Sequence, residues 1–253
     1  MFLPGGFTPM RVSMAPPFDP MVAGGGITGA YSVSRKVIST YGGAFYTLSG
    51  GLVTQLNNQA LTGVNLPQAA AGDGAPLANQ GARNQICLNF NGARLYSVPA
   101  VTSFFTNAIG YFIASVIVSS IAGVAQDYTA PGLFGDTGGY LGLYLDGAGS
   151  LKNLHGFNTD AAAEYTPLNS FGSFGVPFIA EWWHSAGQVG CSVNGNDTVT
   201  NSGNTGATTF AVYLGYGYSV GLVGYIFEAL FSKVMPTPAQ RVYMRQNLLS
   251  WVT

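Results

Sequence analysis

Charge is what this sequence has least of. Nine Lys and Arg and ten Asp and Glu make up only 8% of its 253 residues, against about 25% in a typical globular domain. The formal net charge is −1, and the nine cations are scattered rather than gathered into a stripe. A chain of this kind lacks the electrostatic footprint of a nucleic-acid binder. So little charge also gives weak charge-based solubility, which suits a subunit held inside an assembly. Cysteine is nearly absent too. Cys87 and Cys191 are too few for a disulfide framework, and both stand in apolar runs, QICLNF and QVGCSV. They read as buried free thiols, with a single bridge between them left open. The only histidines, His155 and His184, are far apart and have no ligand-like neighbours, so no metal site and no cofactor is assigned.

Long apolar runs are equally scarce. The one candidate, Ala108–Ala125, is uncharged but interrupted by Gly110 and Gly123 and rich in β-branched residues. It reads as a buried strand with its turn, and no membrane insertion is expected. The opening MFLPGGFTPMRV lacks a basic region followed by an apolar core, so no secretory signal is expected.

What the chain does have is glycine (36 residues), Tyr (14) and Phe (16), a composition suited to short strands and tight turns. Residues 1–26 carry five prolines and several glycines, which deny them helix and interior strand. They also carry spaced apolar side chains, Phe2, Leu3, Phe7, Met10 and Phe18 among them. The segment reads as an extended arm that anchors on a surface.

From Ile27 to Thr253 the sequence reads as one β-sandwich. Strand signals flank Tyr41-Gly42-Gly43, and a hairpin is expected over Asn91-Gly92, between ICLNFNG and RLYSV. The stretch from Leu61 to Gln85 reads as a loop. Further strands are expected at Tyr140–Leu145, Ser150–Leu154, Val176–His184, Thr209–Leu214 and Tyr225–Lys233. Thr237, Pro238 and Gln240 form a capping box with proline at the first helical position, opening a terminal helix. Met244, Leu248 and Trp251 share one face of that helix, with Arg241 and Arg245 at its edge, and its role is to cover the sandwich.

Two stretches carry a resemblance. GAYSVSRKVISTYGGAFYTLSGG, through Ala30, Tyr31, Ser32, Arg35, Thr40, Tyr41, Gly43 and Ala44, resembles the opening of concanavalin A-like (laminin-G-like) domains. Such domains occur in bacteriophage structural proteins and in fungal α-L-arabinofuranosidases. The ending GYIFEALFSKVMPTPAQRVYMRQNLLSWV resembles the strand-to-helix close of the same domains. The resemblance implies an all-β, concanavalin A-like jelly-roll sandwich with a short C-terminal helix, preceded here by the arm. It places the arabinofuranosidase nucleophile at Gly142, and the acid in the loop after Leu214-Gly215, which reads YGYSVG and has no carboxylate. A retaining glycosidase needs two carboxylates about 5 Å apart. Asp136, Asp146, Glu181 and Glu228 have no partner at a fitting spacing, and Glu228 reads as structural. No catalytic residue is therefore assigned.

The resemblance implies a non-catalytic virion protein: a capsid decoration, head fibre or tail component docked through its arm. Its expected partners are other virion proteins, as a homo-oligomer or among capsid or tail subunits. The alternative is a lectin-like module for host surface glycan, with Trp183, His184, Tyr216 and Tyr218 as candidate contacts; a glycoside hydrolase is the remaining reading. Trp182 and Trp183 alternate along one strand and so face opposite sides of the sheet, leaving at most one free to stack on a sugar.

Overall fold

The computed structural model describes residues 26–38, 41–60, 64–98, 104–106, 109–121, 131–136, 141–146, 152–158, 169–201, 212–217 and 220–253. The arm falls almost entirely outside them, as does Tyr218. The strands are β1 (Ile27–Ser32), β2 (Tyr46–Ser49), β3 (Leu52–Leu56), β4 (Leu66–Pro67), β5 (Ala75–Gln80), β6 (Gln85–Asn91) and β7 (Tyr96–Val98). They continue with β8 (Ile109–Ser120), β9 (Gly132–Asp136), β10 (Leu141–Asp146), β11 (Asn153–Asn158) and β12 (Asn169–Ser170). The last are β13 (Phe178–Ser185), β14 (Gln188–Val193), β15 (Asn196–Asn201), β16 (Val212–Leu214) and β17 (Val223–Ser232), before the helix α1 (Pro238–Val252).

Two antiparallel sheets stack face to face. The larger runs β15-β14-β13-β8-β17-β6-β5-β3-β2, with β1 beside β17 and β4 beside β3; the smaller runs β12-β11-β10-β9-β16-β7. The architecture is an all-β jelly-roll sandwich with one C-terminal helix. Its centre is aromatic: Phe112, Phe134, Trp182 and Phe231 are buried between the sheets, and Phe112 and Phe134 approach to 4.5 Å between ring centroids. Such tilted pairs add to the area term of burial. The run read as a buried strand is β8, paired along its length with β13 and β17. Among the described residues no helix is long and apolar enough to cross a membrane. Both cysteines are free and buried, and burial pushes the Cys87 thiol up to about 12.

Three local expectations need correction. Asn91-Gly92 is not a hairpin: β6 pairs with β5 and β17, whereas β7 pairs with β16 in the other sheet. Gly92, at φ 89°, turns a corner between the layers. The first hairpin turns at Gly50-Gly51, not at Tyr41–Gly43, and both glycines adopt positive φ (58° and 80°), as a two-residue hairpin loop requires. The supposed loop from Leu61 contains β5, which gains its ladder from β6 rather than from any periodicity of its own.

The helix begins as its residues dictate. The Thr237 side chain accepts from the Gln240 amide, the Gln240 side chain accepts from the Thr237 amide, and Pro238 opens the first turn. The helix lies on the outer face of the large sheet, where Met244 and Leu248 pack with Tyr111, Ile113, Ile179 and Trp183. Trp251 is only half-buried, its indole N–H donating to Ser34 Oγ at 3.0 Å.

Candidate functional site

Period-2 alternation decides what the outer face of the small sheet carries. Leu141, Leu143 and Leu145 of β10 point into the inter-sheet core, so Gly142 and Tyr144 lie on the opposite face. Cross-strand register sets Gly142 against Gly135 of β9 and Tyr144 against His155 of β11. Tyr213 of β16 stands beside Gly135 on the other flank.

This face is filled rather than open. A Cβ on Gly142 would lie 2.5 Å from the Phe134 carbonyl oxygen and 2.8 Å from the Tyr144 ring, and one on Gly135 would lie 2.6 Å from the Tyr144 hydroxyl. The two glycines clear the bed on which Tyr144 lies. Its hydroxyl donates to the Leu141 carbonyl at 3.4 Å, and the ring meets His155 edge-on, 6.2 Å between centroids. Burial, reinforced by the Asp136 carboxylate, holds the Tyr144 hydroxyl well above the ordinary range, so it is a neutral donor at any physiological pH. Asp136 itself accepts from the Leu141 amide at 3.1 Å.

The loop after Leu214 is equally closed. Gly217 donates to Val220 at 3.0 Å and Leu222 to Gly215 at 2.9 Å, which folds the loop down upon itself. A Cβ on Gly132 would lie 2.7 Å from the Gly217 backbone, so loop and β9 meet backbone to backbone. The two positions that the hydrolase resemblance assigns to catalysis are thus a glycine under a tyrosine ring and a glycine loop pressed on a strand.

The described glutamates belong to the large sheet, on the other side of the molecule. Glu181, fully buried on β13, accepts from Arg241 Nε at 2.8 Å, Arg245 Nη1 at 2.7 Å and the Tyr111 hydroxyl at 2.8 Å. Arg241 also grips Asp197 of β15 through both terminal nitrogens at 2.9 Å and stacks over Trp183, 4.2 Å from the ring centroid. Burial opposes the Arg241 charge, but Glu181 and Asp197 more than offset it and raise its affinity for the proton. Glu228 is held by Arg35, which also donates to Asn247 Oδ1 of the helix at 2.7 Å. In the sequence the arginines fall at the helix edge and nothing marks a partner for Glu181. The structure joins them into one buried network that clamps the helix to the sheet. Among the described residues no group of His, Cys, Asp and Glu is placed to hold a metal ion.

The candidate sugar contacts are not brought together. Trp183 is 6% exposed, beneath Arg241, and His184 is 1% exposed on the core side beside Trp182. Neither offers a free face. They are buried because the helix covers one side of β13 and the small sheet the other. Tyr216 is half-buried and meets Tyr213 edge-on at 5.9 Å between centroids; Tyr218 lies outside the described residues. Of the candidate contacts, Tyr216 alone among the described residues keeps part of its aromatic surface, beside Tyr213.

His184 carries a pH consequence. Its Nε2 has no hydrogen-bond partner among the described residues, and burial lowers its pKa to about 4. The unfolded chain binds a proton near the ordinary value of about 6.5 and the native chain does not. Stability is therefore complete above about pH 6.5 and falls as the pH drops toward about 4, by on the order of 3 kcal/mol. Urea midpoints measured across that window check this, and a His184→Gln variant is expected to show a flatter dependence.

No protein-family model and no curated protein matches this chain. Solved structures do. An arabinofuranosidase complexed with arabinofuranosyl-α-1,2-xylobiose superposes with a TM-score of 0.65 at 15% identity, over 94% of this chain and 65% of that one. A mutant GH54 α-L-arabinofuranosidase soaked with 4-nitrophenyl α-L-arabinofuranoside gives 0.69 at 14%, over 94% and 66%. A Trypanosoma rangeli sialidase gives 0.54 at 14%, over 88% and 32%. The chain spans less than two thirds of the length of these proteins. The likeness establishes the β-sandwich fold, one shared with carbohydrate-active enzymes.

Proposed function

We propose that this chain is a non-catalytic structural protein of a bacteriophage particle, a β-sandwich displayed on the surface and docked through its N-terminal arm. The observation that carries the non-catalytic part is the filled face of the small sheet. Where the arabinofuranosidase pattern needs a nucleophile, Gly142 has no room even for a methyl group. The described glutamates, which could otherwise serve, are committed to arginines. The particle itself is supported by the resemblance of Ala30–Ala44 to phage structural domains, by the 8% charge content, and by the apolar anchors Phe2, Leu3, Phe7, Met10 and Phe18. Removing residues 1–26 is expected to leave the sandwich folded and to abolish its incorporation into particles, scored by the protein content of purified virions. Incorporation equal to that of the full chain would refute the docking role.

A second reading is favoured by one observation. The Tyr213–Tyr216 pair presents aromatic surface on the small sheet, in a fold common among carbohydrate-active proteins, and supports binding of a host glycan without turnover. The two readings are compatible, since a displayed sandwich is well placed to touch a cell surface.

A further inference from the structure

The large sheet ends in a strand with nothing to guard it. Among the described residues β2 is the last strand on its path, and Thr47, Leu48 and Ser49 are exposed. Contacts with β3 fix which of its backbone groups are free. The Phe45 carbonyl accepts from the Asn57 amide at 2.9 Å, and the Thr47 carbonyl from Thr54 Oγ1 at 3.3 Å, both on the β3 side. Carbonyls alternate in direction along a strand, so the amides and carbonyls of Tyr46 and Leu48 turn outward, where no described strand meets them. The irregularity in this hairpin lies on β3, where the register passes over Thr54, so the outer edge of β2 is unbroken.

Edge strands are commonly protected by lysine, proline or a bulge. Here there is none of these, and no charged residue stands anywhere from Val37 to Gly72. The far edge of the same sheet, β15, instead carries Asp197, held by Arg241. The lack of charge selects the partner. An edge that pairs with its own copy across a two-fold axis brings the same residues together, and like charges there would repel; an uncharged edge meets no such penalty. The side chains fit as well. With the axis at Thr47, that residue faces Thr47 of the second copy, and threonine pairs are among the favourable cross-strand contacts. On the other face of the sheet Tyr46 lies opposite Leu48 of the second copy. That contact covers Leu48, which at 53% is the most exposed large apolar side chain among the described residues. The outward amides and carbonyls of Tyr46 and Leu48 then exchange hydrogen bonds as antiparallel partners do.

We propose that β2 pairs antiparallel with β2 of a second copy, joining two large sheets into one continuous sheet across a two-fold axis at Thr47. The pairing needs neither the arm nor a particle, so it is tested on the isolated chain and its failure is separate from any failure to join a virion. A junction of so few residues buries less than the roughly 1,200 Å² of a stable complex, so the dimer is reversible. Sedimentation velocity from low micromolar to submillimolar concentration should show a monomer–dimer equilibrium. Thr47→Lys, at an exposed site, sets like charges face to face in place of the threonine pair and should weaken the dimer about tenfold. An equimolar mixture of Thr47→Lys and Thr47→Glu should restore it, because opposite charges then meet at the axis. Val199→Lys, exposed on the β15 edge, should leave it unchanged. A wild-type chain that stays monomeric throughout would overturn the proposal, as would a dimer indifferent to Thr47→Lys or a charge-matched mixture that does not pair. A dimer lost in Val199→Lys would assign the contact to β15 and overturn it likewise.

Discussion

Glu181→Ala is expected to lower stability by about 3–5 kcal/mol, the cost of leaving a buried charge without its counterpart. Glu181 receives two guanidinium groups and a phenol beneath the helix. Without it Arg241 retains Asp197, but Arg245 loses its described carboxylate, and the Tyr111 hydroxyl loses its acceptor. For a domain of this size the loss corresponds to a fall in Tm of about 10 °C. The helix should loosen first, since the network joins it to β13 and β15. The sharper form of the prediction lies in the compensating variant. Replacing Glu181 and Arg245 together by leucine removes the charges as a pair, and such replacements are often neutral or stabilising. Recovery of much of the lost stability in thermal unfolding would show that the clamp acts by pairing. If the single variant shifts Tm by only a degree or two, the network is not what seats the helix.

Gly142→Glu, the change that would restore a carboxylate at the assigned nucleophile position, should cost at least about 3 kcal/mol, the upper part of the range for overpacking a closed interior. The obstacle is the Phe134 carbonyl oxygen, 2.5 Å from the would-be Cβ, and backbone cannot swing aside as a side chain can. Gly142→Ala meets the same atom and should destabilise nearly as much, so the penalty belongs to the first carbon rather than to the charge. Chemical denaturation of the two variants distinguishes this from an electrostatic effect. A well-folded Gly142→Glu protein would mean that the cleft can open.

The contrast between these sites shows how much of the molecule the sequence made legible. The capping box at Thr237–Gln240 is local, so its residues declare it, and the structure forms it as read. The alternation that separates Trp182 from Trp183 is likewise local and sets them on opposite faces. The Glu181 clamp was not legible, because its partners stand 60 and 64 residues away and nothing near Glu181 marks them. Trp183 looked available for a sugar because strand alternation gives a face but not what covers it. Covering it took the helix, whose position on the large sheet depends on that same distant network. Asn91-Gly92 misled for a related reason. The dipeptide specifies a tight turn, and only the pairing of β7 with β16 shows that the turn changes layers.

In this sandwich the position that the arabinofuranosidase resemblance assigns to a nucleophile is filled by Tyr144 and glycine backbone. The proposed lack of catalysis is tested most directly by incubating the purified chain with 4-nitrophenyl α-L-arabinofuranoside, alongside calorimetric titration with arabino-oligosaccharide. No release of nitrophenol above the buffer rate is expected, whether or not the oligosaccharide binds. Protein-dependent, saturable release would refute the proposal, since it would require a pair of carboxylates that the filled face leaves no room for.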